Sequence, residues 1–186
     1  VLQSEAVRQI TRTSDIDLAE PGRSKCAYFI ILDDQNSSLE FLSSLFFAFL
    51  FIRLVRYADS TPEQRCAVPV NIVLDEMNNI GVIPDLSRRL STIRSRSLQV
   101  LMCCQNLPQI QNRYPNNLWA ELLGNADTQL MLGCTDDVSA EFFSARSGDM
   151  TVEVNSTMTT RQSIAVAQVI PQYRYTEGLG RRRLLT

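Results

Sequence analysis

The sequence predicts an α/β fold in which helices cover both faces of a mostly parallel sheet. Short apolar runs alternate along the chain with segments of helical periodicity. An unbroken apolar run is typical of a strand buried on both faces, and parallel neighbours require a connection about as long as a helix. The 186 residues, of which 45% are hydrophobic and 20% charged, suffice for one folded domain.

The strands are predicted from these apolar runs. The chain opens with a polar connector at residues 1–25. Buried strands are then expected at four places: residues 26–32, 70–74, 98–103 and 128–132. An alternating segment that starts at Met150 predicts a half-exposed strand, and the residues after it, which end in the basic run at 181–183, are expected to be the least ordered part of the chain.

The segments between the strands carry helix signals. Helices are predicted at 39–57, from Pro84 to Ile93, at 117–123 and at 136–147, with a loop at 105–108. Ser37 and Glu40 have the spacing of a capping box at the start of the first helix. Apolar residues surround the axis of this helix, so we expect it to pack against more than one neighbour. Its most apolar stretch is shorter than the ~20 residues that cross a bilayer, so no membrane span is expected.

Composition excludes several kinds of site. The chain contains no His, so serine or cysteine nucleophiles activated by His, and zinc held by His, are excluded within these residues. The five cysteines include no C-x-x-C pair, which argues against a disulfide framework and a zinc knuckle. A net charge of −2 predicts no general affinity for nucleic acid. Acid–base chemistry therefore falls to carboxylates.

Two adjacent acids follow the second predicted strand. Asp75 and Glu76 end its apolar run, at the edge of the sheet where sites in parallel α/β folds lie. In P-loop ATPases the first such carboxylate holds a hydrated Mg²⁺ and the second polarises the attacking water. Acids also favour the wet ends of strands, so the pattern by itself leaves a structural role and a catalytic role open.

Gln105 and Arg94 extend the candidate site. Gln105 exits the next predicted strand, where a neutral amide would contact both water and a γ-phosphate. Arg94 flanks a helix, where a guanidinium would reach a phosphate across a subunit boundary. Each residue also has a simpler explanation, since Gln105 fits a helix cap and Arg94 fits a surface ion pair of little energetic value.

Several motifs resemble the type IV secretion coupling proteins of the TraG/TraD kind. The resemblance rests on four runs: residues 71–85 around Asp75-Glu76, Ile93-Arg94-Ser95-Arg96, residues 104–110 around Gln105, and Gly124-Asn125-Ala126-Asp127-Thr128. It extends upstream through residues 13–18 and 29–42. Ser97 departs from the family pattern, because Gly commonly follows the second Arg there.

The resemblance implies a RecA-like motor domain. Such a domain works as a ring-shaped homo-hexamer at the inner membrane and hydrolyses ATP to drive conjugative DNA or protein substrates into a type IV secretion channel. By position, Asp75 and Glu76 are the Walker B acids, with Asp75 holding Mg²⁺ through water. Gln105 is the phosphate-sensing glutamine, and Arg94 is the finger that acts in trans. The region that recognises a relaxosome accessory protein or relaxase also falls in this part of the family.

A Walker A motif, Gly-x-x-x-x-Gly-Lys-[Ser/Thr], does not occur in these residues. The resemblance therefore implies three parts: a connector from a helical insert at 1–25, a piece of the motor core at 26–150, and a terminal strand with a basic tail at 151–186. A chain of this kind is expected not to turn over ATP alone, and its parent is expected on the cytoplasmic face of the bacterial inner membrane. The alternative is a non-catalytic docking module for relaxosome or substrate proteins.

Overall fold

The structure, a computed structural model, describes residues 8–9, 12–32, 40–160 and 172–183. The chain divides into two compact units, residues 1–130 and 131–186. Ser37 lies outside the described residues, so the predicted capping box with Glu40 lies partly there too.

Two parallel strands form the sheet of the first unit. Strand β1, Val70–Leu74, pairs with strand β2, Leu98–Met102, in a register that sets Leu74 opposite Met102. Both strands match their predicted positions closely. Val70, Ile72 and Leu74 are buried while the residues between them are exposed, so β1 is buried on one face in the described part of the chain. Because the strands are parallel and in register, both end at the same edge of the sheet.

The long helix of this unit, α2, runs from Glu40 to Ser60 and follows a short helix α1 at Glu20–Arg23. Its buried side chains lie on one side of the axis: Phe47, Ala48, Leu50, Phe51, Leu54 and Ala58. Leu45 and Phe49, on the other side, are 42% and 48% exposed. The apolar residues on this other side are not buried by the described chain. The helix does have more than one neighbour, since Arg96 pairs with Asp59 and Arg113 with Glu40.

The length and composition of α2 also bear on the expected absence of a membrane span. Within the described residues, α2 is the helix that is long and apolar enough to cross a membrane. Core helices of soluble proteins meet the same two criteria, and 33% of its most apolar window is buried inside the structure. This observation is weak evidence for a span.

Three short helices complete the first unit around the sheet. They are α3, Leu86–Ile93; α4, Leu107–Arg113; and α5, Leu118–Gly124. Single 3₁₀ turns at Met77–Asn79 and Arg94–Arg96 follow β1 and α3. Helix α4 begins in the segment predicted as a loop at 105–108. That prediction was wrong because Asn106 caps a helix, its side-chain Oδ1 accepting the backbone N–H of Gln109 at 3.0 Å.

Two of the four predicted buried strands are not strands in the structure. Residues 26–32 and 128–132 have no ladder partner, and their apolar side chains are exposed: Phe29 91%, Ile31 95%, Leu130 79% and Leu132 92%. An apolar run becomes a buried strand only when a neighbouring strand and a covering helix are present. Among the described residues, no strand pairs with these two segments and no helix covers them.

The second unit combines a helix and an antiparallel pair. Helix α6 spans Asp137–Ser147, and strand β3, Asp149–Thr160, pairs with strand β4, Gln172–Arg183. The strand predicted from Met150 onward therefore exists. The basic run at 181–183 ends β4 in register with residues 149–151, so this strand continues into the segment that the sequence predicts to be the least ordered.

Candidate functional site

A cleft of about 450 Å³ opens beside the carboxyl ends of β1 and β2. All its lining residues carry amide or charged side chains: Glu76, Asn78, Asn79, Gln105, Gln109, Asn112 and Arg113. Two of the predicted site residues, Glu76 and Gln105, thus line the same cleft. This arrangement follows from the parallel register of the strands, because each residue stands a few positions beyond the end of its own strand.

The acidic turn after β1 is tied to the end of β2. The N–H of Met77 donates to the carbonyl of Cys103 at 3.0 Å, and the N–H of Cys103 donates to the carbonyl of Leu74 at 3.0 Å. Asp75 and Glu76 are both exposed. Glu76 has a left-handed backbone, with φ 50° and ψ 55°, a conformation that costs free energy in residues other than glycine and often occurs at functional sites. The turn therefore presents two carboxylates to solvent from a fixed backbone.

The carboxylate of Glu76 has one side-chain partner in the described chain. Asn79 Nδ2 donates to Glu76 Oε2 at 2.8 Å. The two residues lie at opposite ends of the same tight turn, so the hydrogen bond orients the carboxyl group at the cleft. Asp75 is exposed but does not line this cleft.

Gln105 stands at the start of α4, where the cap of the helix fixes the backbone. Gln105 precedes the capping residue Asn106, and Pro108 occupies the first turn of the helix, as proline favours. Gln109 lies one helical turn beyond Gln105, and its Nε2 donates to Gln105 Oε1 at 3.3 Å. Both amides face the cleft as lining residues.

A half-buried ion pair closes the far side of the cleft. Arg113 Nη1 donates to Glu40 Oε2 at 2.9 Å and its Nη2 to Glu40 Oε1 at 3.5 Å, so the two groups meet as a fork. Arg113 Nη2 also donates to the carbonyl of Asn78. Gly81 lies so close that a Cβ there would come within 3.0 Å of the Glu40 carbonyl, and its φ of +88° suits glycine. The start of α2 is thereby held against the cleft.

Arg94 lies away from this cleft in the structure. It begins the 3₁₀ turn after α3, its side chain is 86% exposed, and it pairs with Asp127 at 3.4 Å. The observed contact is thus the surface ion pair that was the simpler explanation for Arg94. The exposure also leaves the guanidinium accessible to another molecule. Its role as a finger acting in trans stays a prediction.

The donor set fits Mg²⁺ held together with a nucleotide and does not fit a metal held by protein groups alone. Among the described residues no cluster of three or more Cys, Asp or Glu side chains could hold a metal ion. Mg²⁺ in nucleotide sites takes one or two carboxylates, with waters and phosphate oxygens completing its shell. Asp75, the carboxylate predicted for that role, is exposed but lies outside the lining of the cleft, and Arg113 on the cleft wall is already paired with Glu40.

Five lining residues were not anticipated from the sequence: Asn78, Asn79, Gln109, Asn112 and Arg113. A signal for two of them, Gln109 and Arg113, was present. Asn106 followed by Leu107-Pro108 is a helix start, and a helix from that point sets Gln105, Gln109 and Arg113 four residues apart on one face. Predicting a loop at 105–108 concealed this spacing.

Comparison with protein families matches residues 69–186 to the family described as the TraM recognition site of TraD and TraG. The match spans well over half of the chain. The chain belongs to the TraG/TraD family of coupling proteins. This match confirms the family that the sequence motifs resemble. No curated protein sequence matches it significantly.

A solved structure has a similar fold to this TraG/TraD chain. It is the bacterial conjugative coupling protein TrwBdeltaN70 in its unbound monoclinic form, with a TM-score of 0.57 at 20% sequence identity. The likeness covers 78% of the TraG/TraD chain and 30% of that chain, so the sequence spans less than a third of the solved protein. At this identity the comparison establishes the fold, and it confirms the predicted α/β class.

Proposed function

We propose that this chain is the part of a coupling-protein motor that supplies the acids and the sensing glutamine of an ATP hydrolysis site. In this proposal the parent is a RecA-like, membrane-anchored hexamer on the cytoplasmic face of the bacterial inner membrane. It moves conjugative DNA and protein substrates into a type IV secretion channel. The observation that carries the proposal is the cleft at the shared carboxyl edge of β1 and β2, which Glu76 and Gln105 both line.

Each residue has a chemical task in this proposal. Asp75 holds Mg²⁺ through water, and the bound Mg²⁺ offsets the charge of the nucleotide phosphates. Glu76 orients and deprotonates the attacking water. Gln105 donates from its neutral amide to a phosphate oxygen, and Arg94 acts on a nucleotide held by a neighbouring subunit. The phosphate-binding loop comes from outside these 186 residues, since they contain no Walker A motif.

The test is the variant Glu76→Gln in the full-length parent protein. The amide keeps the size of the side chain and can still contact Asn79, but it cannot accept the proton of the water. We expect the ATP hydrolysis rate to fall by at least about 100-fold while nucleotide affinity stays unchanged. Glu63→Gln is the matched control, because Glu63 is exposed in the link before β1 and lies outside the cleft. Hydrolysis at the wild-type rate in Glu76→Gln would overturn the proposal.

A second candidate function is docking of a relaxosome accessory protein or relaxase. It is favoured by the family description, which names this region of TraD and TraG as a recognition site for TraM. Here the 186-residue chain binds its partner without nucleotide. Docking would be supported if the wild-type chain and its Glu76→Gln variant capture a purified accessory protein equally well. Loss of capture in Glu76→Gln would instead tie binding to the cleft. The two functions are compatible in one parent protein.

A further inference from the structure

The cleft contains a continuous line of side-chain hydrogen bonds that leads to Gln105. Asn78 Nδ2 donates to Gln109 Oε1 at 2.7 Å. Gln109 Nε2 then donates to Gln105 Oε1 at 3.3 Å. All three residues line the cleft, while Asn78 and Gln109 are half-buried and Gln105 is exposed. The interior end of the line is therefore more sheltered from water than the end that the ligand would meet.

The line has a direction that fixes which atom Gln105 offers. A side-chain amide has one accepting end and one donating end. Because Gln109 accepts from Asn78 at its oxygen, its nitrogen is turned toward Gln105. The oxygen of Gln105 is thereby occupied, and its Nε2 makes no hydrogen bond to a described residue. Gln105 is left with its two donor hydrogens for the cleft.

The sheltered end of the line is anchored to a second element. Arg113 bonds at once to the backbone carbonyl of Asn78 and to the carboxylate of Glu40 at the start of α2. Gln109 and Arg113 lie one turn apart on α4, so the helix and the turn after β1 are joined twice, by Gln109 to Asn78 and by Arg113 to Asn78. This double link holds Asn78 in place relative to Gln109.

We propose that Gln109 is a positioning residue for Gln105, which it keeps turned with its amide nitrogen toward the anionic oxygens of a bound nucleotide triphosphate. The inference rests on the proposed hydrolysis function and adds to it the residue that orients the sensing amide. Gln109 itself does not contact the nucleotide. An amide donor is favourable beside a phosphate oxygen, whereas an amide oxygen turned to the same place would repel it.

The experiment compares Gln109→Met, Gln109→Glu and Gln105→Met in the full-length parent. Methionine keeps the length of the side chain and removes both hydrogen bonds. Glutamate cannot donate to the Gln105 oxygen and accepts from its nitrogen, so it turns the amide around. We expect Gln109→Met to lower kcat by roughly 10-fold, with KM and the affinity for a fluorescent ATP analogue unchanged within about twofold. Gln109→Glu should lower kcat by more. Gln111→Met is the control, since Gln111 is a half-buried residue of the same helix that does not line the cleft.

The double variant decides whether the two glutamines act as a unit. If Gln109 acts through Gln105, the double variant that combines Gln105→Met and Gln109→Met has the same kcat as Gln105→Met alone. If the double variant instead loses kcat by the product of the two single losses, the inference is overturned while the hydrolysis function stands. The same holds if Gln109→Met has wild-type kcat and Gln105→Met is impaired. Wild-type kcat in both Glu76→Gln and Gln105→Met would overturn the function and the inference together.

A measurement without catalysis uses the 186-residue chain itself. The side-chain NH₂ signals of Gln109 in a ¹⁵N-labelled chain report its hydrogen bond to Gln105. We expect Gln105→Met to shift these signals and Gln111→Met to leave them in place. Unmoved Gln109 signals in Gln105→Met would show that the contact is absent in solution and would overturn the inference.

Discussion

Ser97 has a backbone conformation that favours glycine, and it does so next to a predicted functional residue. Its φ of 60° and ψ of 35° lie in the left-handed region, and its N–H donates to the Arg94 carbonyl to close the 3₁₀ turn. Gly commonly stands at this place in the motif that the sequence resembles. The structure gives the physical reason, since the chain must turn sharply here before β2 begins at Leu98.

Replacing Ser97 by Gly tests this explanation. A side chain in the left-handed region costs about 1–2 kcal/mol, and part of the gain is lost because glycine is more flexible in the unfolded chain. We expect Ser97→Gly to raise the free energy of unfolding in urea by about 0.5 kcal/mol. Ser91→Gly, inside α3, should have the opposite effect because the helical backbone does not need glycine. A loss of stability in Ser97→Gly would contradict the strain at this turn.

At the scale of the element, helix caps decide where the short helices begin. Asn106 caps α4 and Asp136 caps α6, each accepting a backbone N–H three residues on. The cap of α4 matters most for the site, because it fixes the first turn of the helix that carries Gln109 and Arg113. The line of hydrogen bonds in the cleft therefore depends on Asn106, whose side chain accepts the backbone N–H of Gln109.

The cap of α6 makes the second unit sensitive to acid. The N–H of Ser139 donates to Asp136 Oδ1 at 2.8 Å and holds the pKa of that carboxyl below its usual value. A carboxyl with a lowered pKa in the folded state stabilises the fold above its unfolded pKa of about 3.9, and the stabilisation disappears as the pH falls through the folded pKa. Helicity followed by circular dichroism from pH 7 to pH 2 should show this loss.

The variant Asp136→Asn distinguishes the effect of the Asp136 charge from the effect of its helix-capping hydrogen bond. Asparagine caps helices well but does not titrate in this range, so the variant should keep its helicity at pH 7 and lose the acid-dependent step that Asp136 contributes. Asp137→Asn removes a charge from the first turn of the same helix without removing the cap and should retain the step. An unchanged acid response in Asp136→Asn would mean that another group controls it.

At the scale of the whole molecule, the position of Arg94 outside the cleft agrees with action between subunits. Arg94 is 86% exposed and its described partner, Asp127, is 80% exposed, so the pair is readily exchanged for another partner. A site in this proposal combines Glu76 and Gln105 from one subunit with Arg94 from the next. A subunit that lacks Arg94 can then still serve a neighbour that has it.

Assemblies that mix two variants of the parent protein test this arrangement. Subunits with Arg94→Ala and subunits with Glu76→Gln are each expected to be inactive alone. Mixed together they should regain part of the hydrolysis rate, because some sites combine an intact Glu76 with an intact Arg94. Mixing Glu76→Gln with Gln105→Ala is the control, since both residues belong to one subunit and no complete site forms. Equal recovery in the two mixtures would contradict action in trans.

The local elements near the site were largely predictable. The runs that became β1 and β2 are short, apolar and bounded by polar residues, and neighbouring parallel strands bring their carboxyl ends together without further information. Glu76 and Gln105 could therefore be expected at one edge. The assignment of roles to Asp75, Glu76, Arg94 and Gln105 stays a prediction, because residue type and position do not measure catalysis.

The errors arise where the outcome depends on distant parts of the chain. Residues 26–32 are as apolar as β1, yet Phe29 is exposed because no described strand pairs with them. Arg113 and Glu40 are far apart in sequence, and no local pattern indicates that they meet. Strand β4 is paired through its backbone with β3, and its composition of charged residues and glycine gave no strand signal.

By itself the sequence determined the α/β class, the family, and the two polar residues that meet at the edge of the sheet, because apolar runs and strand ends are local features. Only the tertiary structure decided which side of α2 is buried and that α4 follows Gln105. It also decided that Gln109 donates to Gln105 and that Arg113 joins the cleft to α2. These contacts join elements that are separate in sequence. Their geometry follows from packing, which no single segment encodes.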